Sequence, residues 1–221
     1  MKLTKDQIQL INESLISKDV IYEDVKLELI DHIASEIELE QEESTFEEAF
    51  TKSLKKWESL LKQTKSVGWG IVGPKIIVDR YVTAASKIYK SSLFLTLFFS
   101  ILMTTITIMY PQEYVYTILK SFLTSVYVLS CIVTLTIMFF VWKLKSKTVY
   151  GYFFLKSSCS LPFHFYVIYT LLKGNYRHYY RGSLLSNFIE WSITNFFFFI
   201  SVYLIVLVAD HFRIIKKYKL I

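Results

Sequence analysis

The chain is poor in the residues that build most catalytic and metal centres. Its 221 residues include only two cysteines, and Cys131 and Cys159 have no CxxC spacing, which argues against a disulfide framework or a zinc site. No P-loop, GxSxG or HExxH sequence occurs. We therefore expect a protein that is not an enzyme and that uses no cofactor and no metal.

Acidic residues are scarce after residue 65, and this divides the chain into two parts of opposite charge. Residues 1–65 contain 9 Lys and Arg against 15 Asp and Glu, whereas residues 66–221 contain 16 against 4. The overall charge of +6 is therefore a poor guide to binding partners. Because the positive charge flanks long apolar runs, we expect it to meet anionic lipid headgroups, and we do not expect direct nucleic-acid binding.

Hydrophobic residues make up 53% of the chain, and the longest apolar runs lie in its second part. Four of these runs have about the 20 residues that a bilayer core of about 30 Å requires. The predicted spans cover residues 92–110, 121–142, 152–172 and 184–208. The third is the weakest because Lys156, Pro162 and His164 interrupt it. The lipid bilayer is thus the first expected partner.

Residues 1–65 have the pattern of a small acidic helical domain. Thr4 with Gln7, and Thr45 with Glu48, have the spacing of a reciprocal capping box at a helix start. Apolar residues recur at intervals of three or four after each box. The predicted helices cover about residues 5–17, 22–43 and 46–61. We expect an all-α fold in which this three-helix cytosolic domain precedes a four-helix transmembrane bundle of residues 92–221.

Residues 66–91 predict a linker followed by a helix at the membrane surface. Three glycines, at positions 68, 70 and 73, surround Trp69 and mark a domain boundary. Residues 75–90 then combine apolar and basic side chains in the pattern of an interfacial amphipathic helix. A plain connector helix is the alternative.

The basic residues predict which side of the membrane each flank occupies. With four spans and a cytosolic N-terminus, 12 Lys and Arg residues flank the spans on the inner side and 4 on the outer side. This distribution follows the positive-inside tendency. The start of the chain also lacks the basic and apolar regions of a cleavable signal peptide. We expect a multi-pass protein of the inner (cytoplasmic) membrane with both termini in the cytosol, and the aromatic-rich spans leave surface for a homo-oligomer.

Ionisable residues inside a bilayer are costly, so His164 and Glu190 need a reason to be there. Their depths of about 12 and 9 Å would let the two side chains meet across the hairpin of the third and fourth spans. Asn187 and Asn195 lie on neighbouring helical faces. The predicted polar cluster would serve either as a proton-sensitive switch or solute lining, or as interhelical glue in which each hydrogen bond contributes around 1 kcal/mol.

A second set of candidate residues lies in the N-terminal domain. Glu28, His32 and Glu36 are four residues apart and share one stripe of the second predicted helix, with Asp31 beside them. Metal ligation is one interpretation, but a single histidine with carboxylates is a weak zinc signal, and surface ion pairing explains the same residues. We interpret the four as a candidate motif for docking a protein partner.

The run VKLELIDHIASEIE at residues 25–38 resembles the core of HAAS-type domains, the helical signalling domains associated with helix-turn-helix regulators. A weaker similarity extends over MKLTKDQIQLI and the helix that begins at Phe46. The resemblance implies a small cytosolic helical domain that precedes several membrane spans and works beside a PadR-like transcription regulator. Membrane proteins of Bacteroidetes are similar in this respect.

The leading functional prediction is a non-enzymatic regulatory or signalling protein of the inner membrane, whose cytosolic domain binds such a regulator. A rival from another class is an oligomeric pore, transport component or membrane effector built around His164 and Glu190. A membrane enzyme is the third class, and it would need a polar cluster open to one aqueous face.

Overall fold

A computed structural model describes residues 2–40, 44–110, 112–144, 147–158 and 183–218. Within these ranges the chain forms seven helices and one two-stranded hairpin, which confirms the all-α class. The helices are α1 (Lys5–Ser17), α2 (Glu23–Glu40), α3 (Phe46–Leu61), α4 (Lys75–Met109), α5 (Glu113–Lys143), α6 (Val149–Ser158) and α7 (Leu184–Lys217). The strands are β1 (Gln63–Ser66) and β2 (Ile71–Pro74).

Both predicted capping boxes are present at the starts of α1 and α3. The Gln7 N–H donates to Thr4 Oγ1 at 3.3 Å, and the Thr4 N–H donates to Gln7 Oε1 at 2.8 Å. Thr45 and Glu48 exchange the same pair of bonds at 3.4 and 3.2 Å. Each box satisfies amide groups that have no partner inside the helix, which is why these helices begin where the sequence predicts.

The first three helices bury the apolar stripe that their spacing predicts. Ile11 and Leu15 of α1, together with Leu29, Ile33 and Ile37 of α2, are buried almost completely. A fully buried Leu or Ile side chain contributes roughly 1.5–3 kcal/mol, so these five residues supply much of the stability of the N-terminal domain. Ile8, which belongs to the same predicted stripe, stays 39% exposed at the edge of the domain.

The glycine-rich segment after α3 forms an antiparallel β-hairpin. Ser66 pairs with Ile71, and Gln63 pairs with Pro74 at the open end. Gly70 lies in the turn with φ of 58°, a conformation that glycine adopts at little cost. The strands were not expected because QTKS and IVGP are too short and too irregular to show the alternation of a strand.

Helix α4 runs without interruption from Lys75 to Met109. The predicted interfacial helix and the first predicted span are therefore one helix. It has no proline or glycine that would separate the two parts. At about 1.5 Å per residue its 35 residues extend over about 52 Å, which is longer than a bilayer core.

The second part of α4 is polar on its buried face and apolar on its exposed face. Leu93, Phe94, Phe98 and Ile101 are between 52 and 72% exposed. The buried positions of the same segment carry hydroxyl groups. The buried hydroxyl residues are Ser92, Thr96, Ser100, Thr104 and Thr107. This is the reverse of a helix on a water-soluble protein, and it suits a helix surrounded by lipid.

Three helices, α4, α5 and α7, are long and apolar enough to cross a membrane. They contain the first, second and fourth predicted spans. The third predicted span, residues 152–172, begins in α6, and its remainder lies outside the described residues. The split into a three-helix cytosolic domain and a four-helix transmembrane bundle thus remains a prediction.

The chain divides into two compact units. Unit 1 consists of residues 1–84, 145–152 and 211–221, and unit 2 consists of residues 85–144 and 153–210. The sequence therefore leaves unit 1 at α4, returns to it after α5, leaves again within α6 and returns near the end of α7.

Contacts inside unit 2 give the directions of its helices. Tyr116, near the start of α5, packs against Trp191, near the start of α7, with ring centroids 6.3 Å apart. Further along both helices, Tyr127 and Cys131 pack against Phe197 and its neighbour. Because the contacts advance in the same order, α5 and α7 are parallel.

Helix α4 runs in the opposite direction to α7. Phe99 contacts Phe199 with ring centroids 5.2 Å apart, and the amide of Asn195 donates to Ser100 Oγ at 3.1 Å. Met103 then packs against the cluster that contains Trp191. As the residue number rises along α4, it falls along α7, so the two helices are antiparallel.

Candidate functional site

The start of α6 is held by the side chain of an aspartate from the N-terminal domain. Asp24 in the first turn of α2 is only 4% exposed, and its two carboxylate oxygens lie 3.1 and 3.3 Å from the Val149 nitrogen. The neighbouring Glu23 N–H donates to the Lys147 carbonyl at 2.8 Å. A carboxylate at a helix N-terminus accepts from an otherwise unpaired amide and meets the positive end of the helix dipole. Asp24 is thus a cap for α6 that comes from 125 residues away in sequence.

A second contact at the same place joins Thr148 to His211. Thr148 Oγ1 accepts from the Gly151 N–H at 3.0 Å and lies 2.7 Å from His211 Nδ1. The hydroxyl oxygen can accept a second bond as well as donate one, so which of Thr148 and His211 donates depends on the tautomer of the ring.

His211 has no exposed surface, and its Nε2 has no hydrogen-bond partner in the described part of the chain. A buried polar atom without a partner typically costs about 1–3 kcal/mol, whether it is a donor or an acceptor. Although its position in the sequence is next to the end of the last predicted span, His211 does not reach water, because the Thr148 segment covers it. We name Asp24, Thr148, Val149, Gly151 and His211 the α6 junction.

Gly151 makes the approach of His211 possible. A Cβ atom at this position would lie 2.8 Å from His211 Nδ1 and 3.0 Å from Cε1. Atoms do not approach a Cβ that closely without movement, and both neighbours here are buried in packed surroundings. Any larger residue at position 151 therefore has to displace the histidine ring.

Three tyrosines surround the junction. The Tyr152 ring lies 5.6 Å from the Tyr22 ring and 6.2 Å from the Tyr81 ring, measured between centroids. Burial raises the pKa of Tyr22 to about 12, with further contributions from Tyr152, Asp24 and Tyr81, so its hydroxyl stays protonated at neutral pH. The contribution of Asp24 to the raised pKa of Tyr22 shows that its carboxylate lies close to this aromatic cluster.

Burial also raises the pKa of Asp24. The hydrogen bond from the Val149 amide and the positive charge of Arg80 act in the opposite direction but do not cancel the effect of burial. The folded protein therefore holds a proton on this carboxylate more tightly than the unfolded chain does. The junction positions helices, and its one hydroxyl–histidine pair, Thr148 with His211, is buried from solvent on both sides.

The four residues of the predicted docking motif have different environments. Glu28 pairs with Arg80 at 2.7 Å. Glu36 accepts from Ser53 Oγ at 2.8 Å and pairs with Lys56 at 2.6 Å. Burial alone would raise the pKa of Glu36, but its hydrogen bonds from α3 outweigh this and lower the pKa below its usual value. These two carboxylates hold the domain together.

The other two residues of the motif are accessible. The Asp31 and His32 side chains are exposed on α2. The His32 ring lies 6.0 Å from the Trp57 ring of α3 in a stacked arrangement. A partner that approaches this face would meet Asp31 and His32 first.

The predicted intramembrane cluster is described only in part. Asn195 is buried, and its amide donates to Ser100 of α4. Glu190 and Asn187 are half-buried on α7, and the Asn187 N–H donates to the Ser183 carbonyl in the first turn. His164 lies outside the described residues. The partner of Asn195 is thus a serine of the first predicted span and not a residue of the third.

The glycines of the hairpin have the spacing of a dinucleotide-binding fingerprint. Gly68, Gly70 and Gly73 match GxGxxG. That fingerprint binds a pyrophosphate where a strand of a parallel sheet turns directly into a helix. Here Gly68 and Gly70 lie at the turn of an antiparallel hairpin and Gly73 lies in its second strand, so the phosphate-binding geometry is missing.

No protein family, curated protein or solved structure matches the chain. The resemblance of residues 25–38 to HAAS-type domains therefore stays a prediction. Any function has to be argued from the geometry of the two units.

Proposed function

We propose that this protein is a non-enzymatic regulatory protein of the inner membrane whose N-terminal domain binds a cytosolic partner, such as a PadR-like transcription regulator. The observation that carries the proposal is the α6 junction. Asp24 of the N-terminal domain caps α6. The chain leaves unit 1 for the second time within this helix. Movement of α2 on binding a partner would change the support of α6 directly.

The course of the chain supports four crossings with both termini on one side. Unit 1 contains the N-terminal domain, the connection after α5 and the C-terminal tail. Since α5 and α7 are parallel, the connection between them begins at one end of this helix pair and finishes at the other. An even number of crossings follows if each passage through unit 2 spans the bilayer.

The charge of unit 1 supports a cytosolic location. Arg80 and Lys147, together with Arg213, Lys216 and Lys217 near the end of α7, belong to this unit. Lys and Arg concentrate on the cytosolic side of membrane proteins. The regulatory proposal needs this orientation because a transcription regulator is available only there.

The exposed part of the docking motif supports one location for the partner contact. Glu28 and Glu36 are occupied by Arg80 and Lys56, which leaves Asp31 and His32 as the accessible pair. The N-terminal domain is acidic, so a basic partner surface fits it best. We place the partner contact on the exposed face of α2 around Asp31.

The test is affinity purification of the full chain from native membranes. Asp31→Arg is expected to reduce the recovered cytosolic partner at least tenfold, because it puts a like charge against a basic surface. Glu58→Arg, an equal change of charge at an exposed position of α3, is the matched control and should retain the partner. Equal recovery with both variants, or no cytosolic protein with the wild type, would overturn the proposal.

A further inference from the structure

One end of unit 2 carries a group of exposed lysines. Helix α4 enters unit 2 at residue 85, and α5 leaves it at residue 144. Because α4 is antiparallel to α7 and α5 is parallel to α7, these two points belong to the same end of unit 2. Lys87 and Lys90 of α4 and Lys143 of α5 lie there, and all three are exposed. We call these three residues the lysine collar.

The lysine collar has no anionic partner in the described part of the chain. The acidic residue of α7 at this end, Asp210, is half-buried and interacts with other groups of the protein. The positive charge of the collar is therefore left for a partner from outside the chain. The cations of the ion pairs in the described residues all belong to unit 1, and they are Lys26, Lys52, Lys56, Lys75 and Arg80.

An exposed apolar surface begins directly beside the collar. On α4, Leu93 and Phe94 follow the lysines and are 52 and 72% exposed. On α5, Phe139 and Phe140 precede the lysine and are 53 and 55% exposed. Exposed side chains of this kind suit lipid tails, and long lysine side chains at the end of an apolar helix extend to the headgroups. The collar thus lies where these two helices would leave the hydrocarbon.

Two aromatic residues with polar groups lie among the lysines. Trp142 is 74% exposed and precedes Lys143, and Tyr89 is 36% exposed and precedes Lys90. Trp and Tyr are enriched at the level of the headgroups, because their rings are apolar and also carry a hydrogen-bond donor. The collar therefore has the composition of a membrane interface on both helices.

The opposite end of unit 2 does not repeat this arrangement in its described residues. It has one lysine, Lys120, whose ammonium group lies over the Tyr116 ring at 6.0 Å from the centroid. Glu113 of α5 and Glu190 of α7 belong to the same end. Within the described part of unit 2, positive charge without a protein partner is thus concentrated at the collar.

We propose that the lysine collar binds the headgroups of anionic phospholipids and selects them over zwitterionic ones. Lysines near a membrane surface attract anionic lipid, and the protein offers these three no carboxylate in its place. The proposal requires α4 and α5 to span a bilayer. It does not depend on the proposed partner of α2, so either can fail alone.

The test is electron spin resonance of the full chain in phosphatidylcholine liposomes that contain a small fraction of spin-labelled lipid. The wild type should associate with labelled phosphatidylglycerol at least about threefold more strongly than with labelled phosphatidylcholine. Combining Lys87→Gln, Lys90→Gln and Lys143→Gln should lower this preference at least about twofold. Salt at about 1 M should lower the preference of the wild type as well, because it screens charges at the surface.

Two further variants separate the collar from a general effect of charge. Lys5→Gln, Lys18→Gln and Lys55→Gln together remove the same charge from exposed positions of the N-terminal domain, and this matched control should keep the preference. Arginine at the three collar positions keeps the charge and should also keep the preference. Equal preferences in the collar variant and the matched control, or no preference in the wild type, would overturn the proposal. The wild-type measurement stands even if a variant folds poorly.

Discussion

At the scale of single residues, the α6 junction was not predicted because its contacts join residues that are far apart in sequence. The Thr148–His211 contact joins positions 63 residues apart, and the Asp24–Val149 contact joins positions 125 apart. A single sequence contains no signal for pairs so distant. The local part was readable, because Thr148 and Gly151 have the spacing of a helix cap before an apolar run.

Gly151→Ala should destabilise unit 1. The added methyl group clashes with His211, and overpacking of this kind typically costs about 1–3 kcal/mol. The better helix propensity of alanine offsets up to about 1 kcal/mol of this cost. The free energy of unfolding is measured by denaturant titration in detergent. Gly68→Ala is the control, since a Cβ there meets nothing within 4 Å.

A double variant separates the clash from a general effect. Gly151→Ala combined with His211→Ala removes the ring that the methyl group meets. The two changes should therefore be less destabilising together than the sum of their single effects. Strict additivity would show that Gly151 is not required by His211.

At the scale of elements, helices were predicted well and the connections between them were not. Capping boxes and apolar spacing located α1 and α3, because both signals are local. The hairpin was missed because its pairing depends on a turn at Gly70 and not on strand propensity. The continuity of α4 was missed because its character changes from amphipathic to apolar with no breaker between.

The cap of α6 should make stability depend on pH. Burial raises the pKa of Asp24 in the folded state, so folded protein binds the proton more tightly than unfolded protein. The contribution of Asp24 to stability is then largest below the ordinary aspartate pKa of about 3.9 and is lost as pH rises through the folded pKa. The loss amounts to about 1.4 kcal/mol for each pH unit by which the pKa is raised.

Asp24→Asn removes this component, because the amide does not titrate but still accepts from the Val149 N–H. The measurement is the difference in unfolding free energy between wild type and Asp24→Asn from mildly acidic to neutral pH. As pH rises, the unfolding free energy of the wild type should decrease relative to that of Asp24→Asn. Asp31→Asn, an exposed change in the same helix, is the control. Parallel curves for wild type and Asp24→Asn would contradict the assignment.

At the scale of the whole molecule, three helices long and apolar enough to cross a membrane and the polar buried face of α4 suit a membrane protein. The sequence predicted these three helices from hydropathy. It could not predict that residues 145–152 and 211–221 belong with the N-terminal residues, since that grouping depends on packing.

The proposed four-span topology predicts the sides from which cysteines can be labelled. In a chain with Cys131 and Cys159 replaced by alanine, Ser17→Cys, Lys147→Cys and Lys216→Cys should react with a membrane-impermeant maleimide only in inside-out vesicles. Gln112→Cys, between α4 and α5, should react only in right-side-out vesicles. Labelling of Gln112→Cys and Lys147→Cys from the same side would exclude the topology.

The long-range cap of α6 has a consequence for biosynthesis. The ribosome makes α2 long before residue 149, so the Asp24 carboxylate stays exposed to water while two hydrophobic segments are inserted into the membrane. The N-terminal helices can collapse early, but their last buried charge is covered only after the second segment is in place. A truncated product that ends before this point would display an unfinished surface, which is the kind of signal that quality-control proteases recognise.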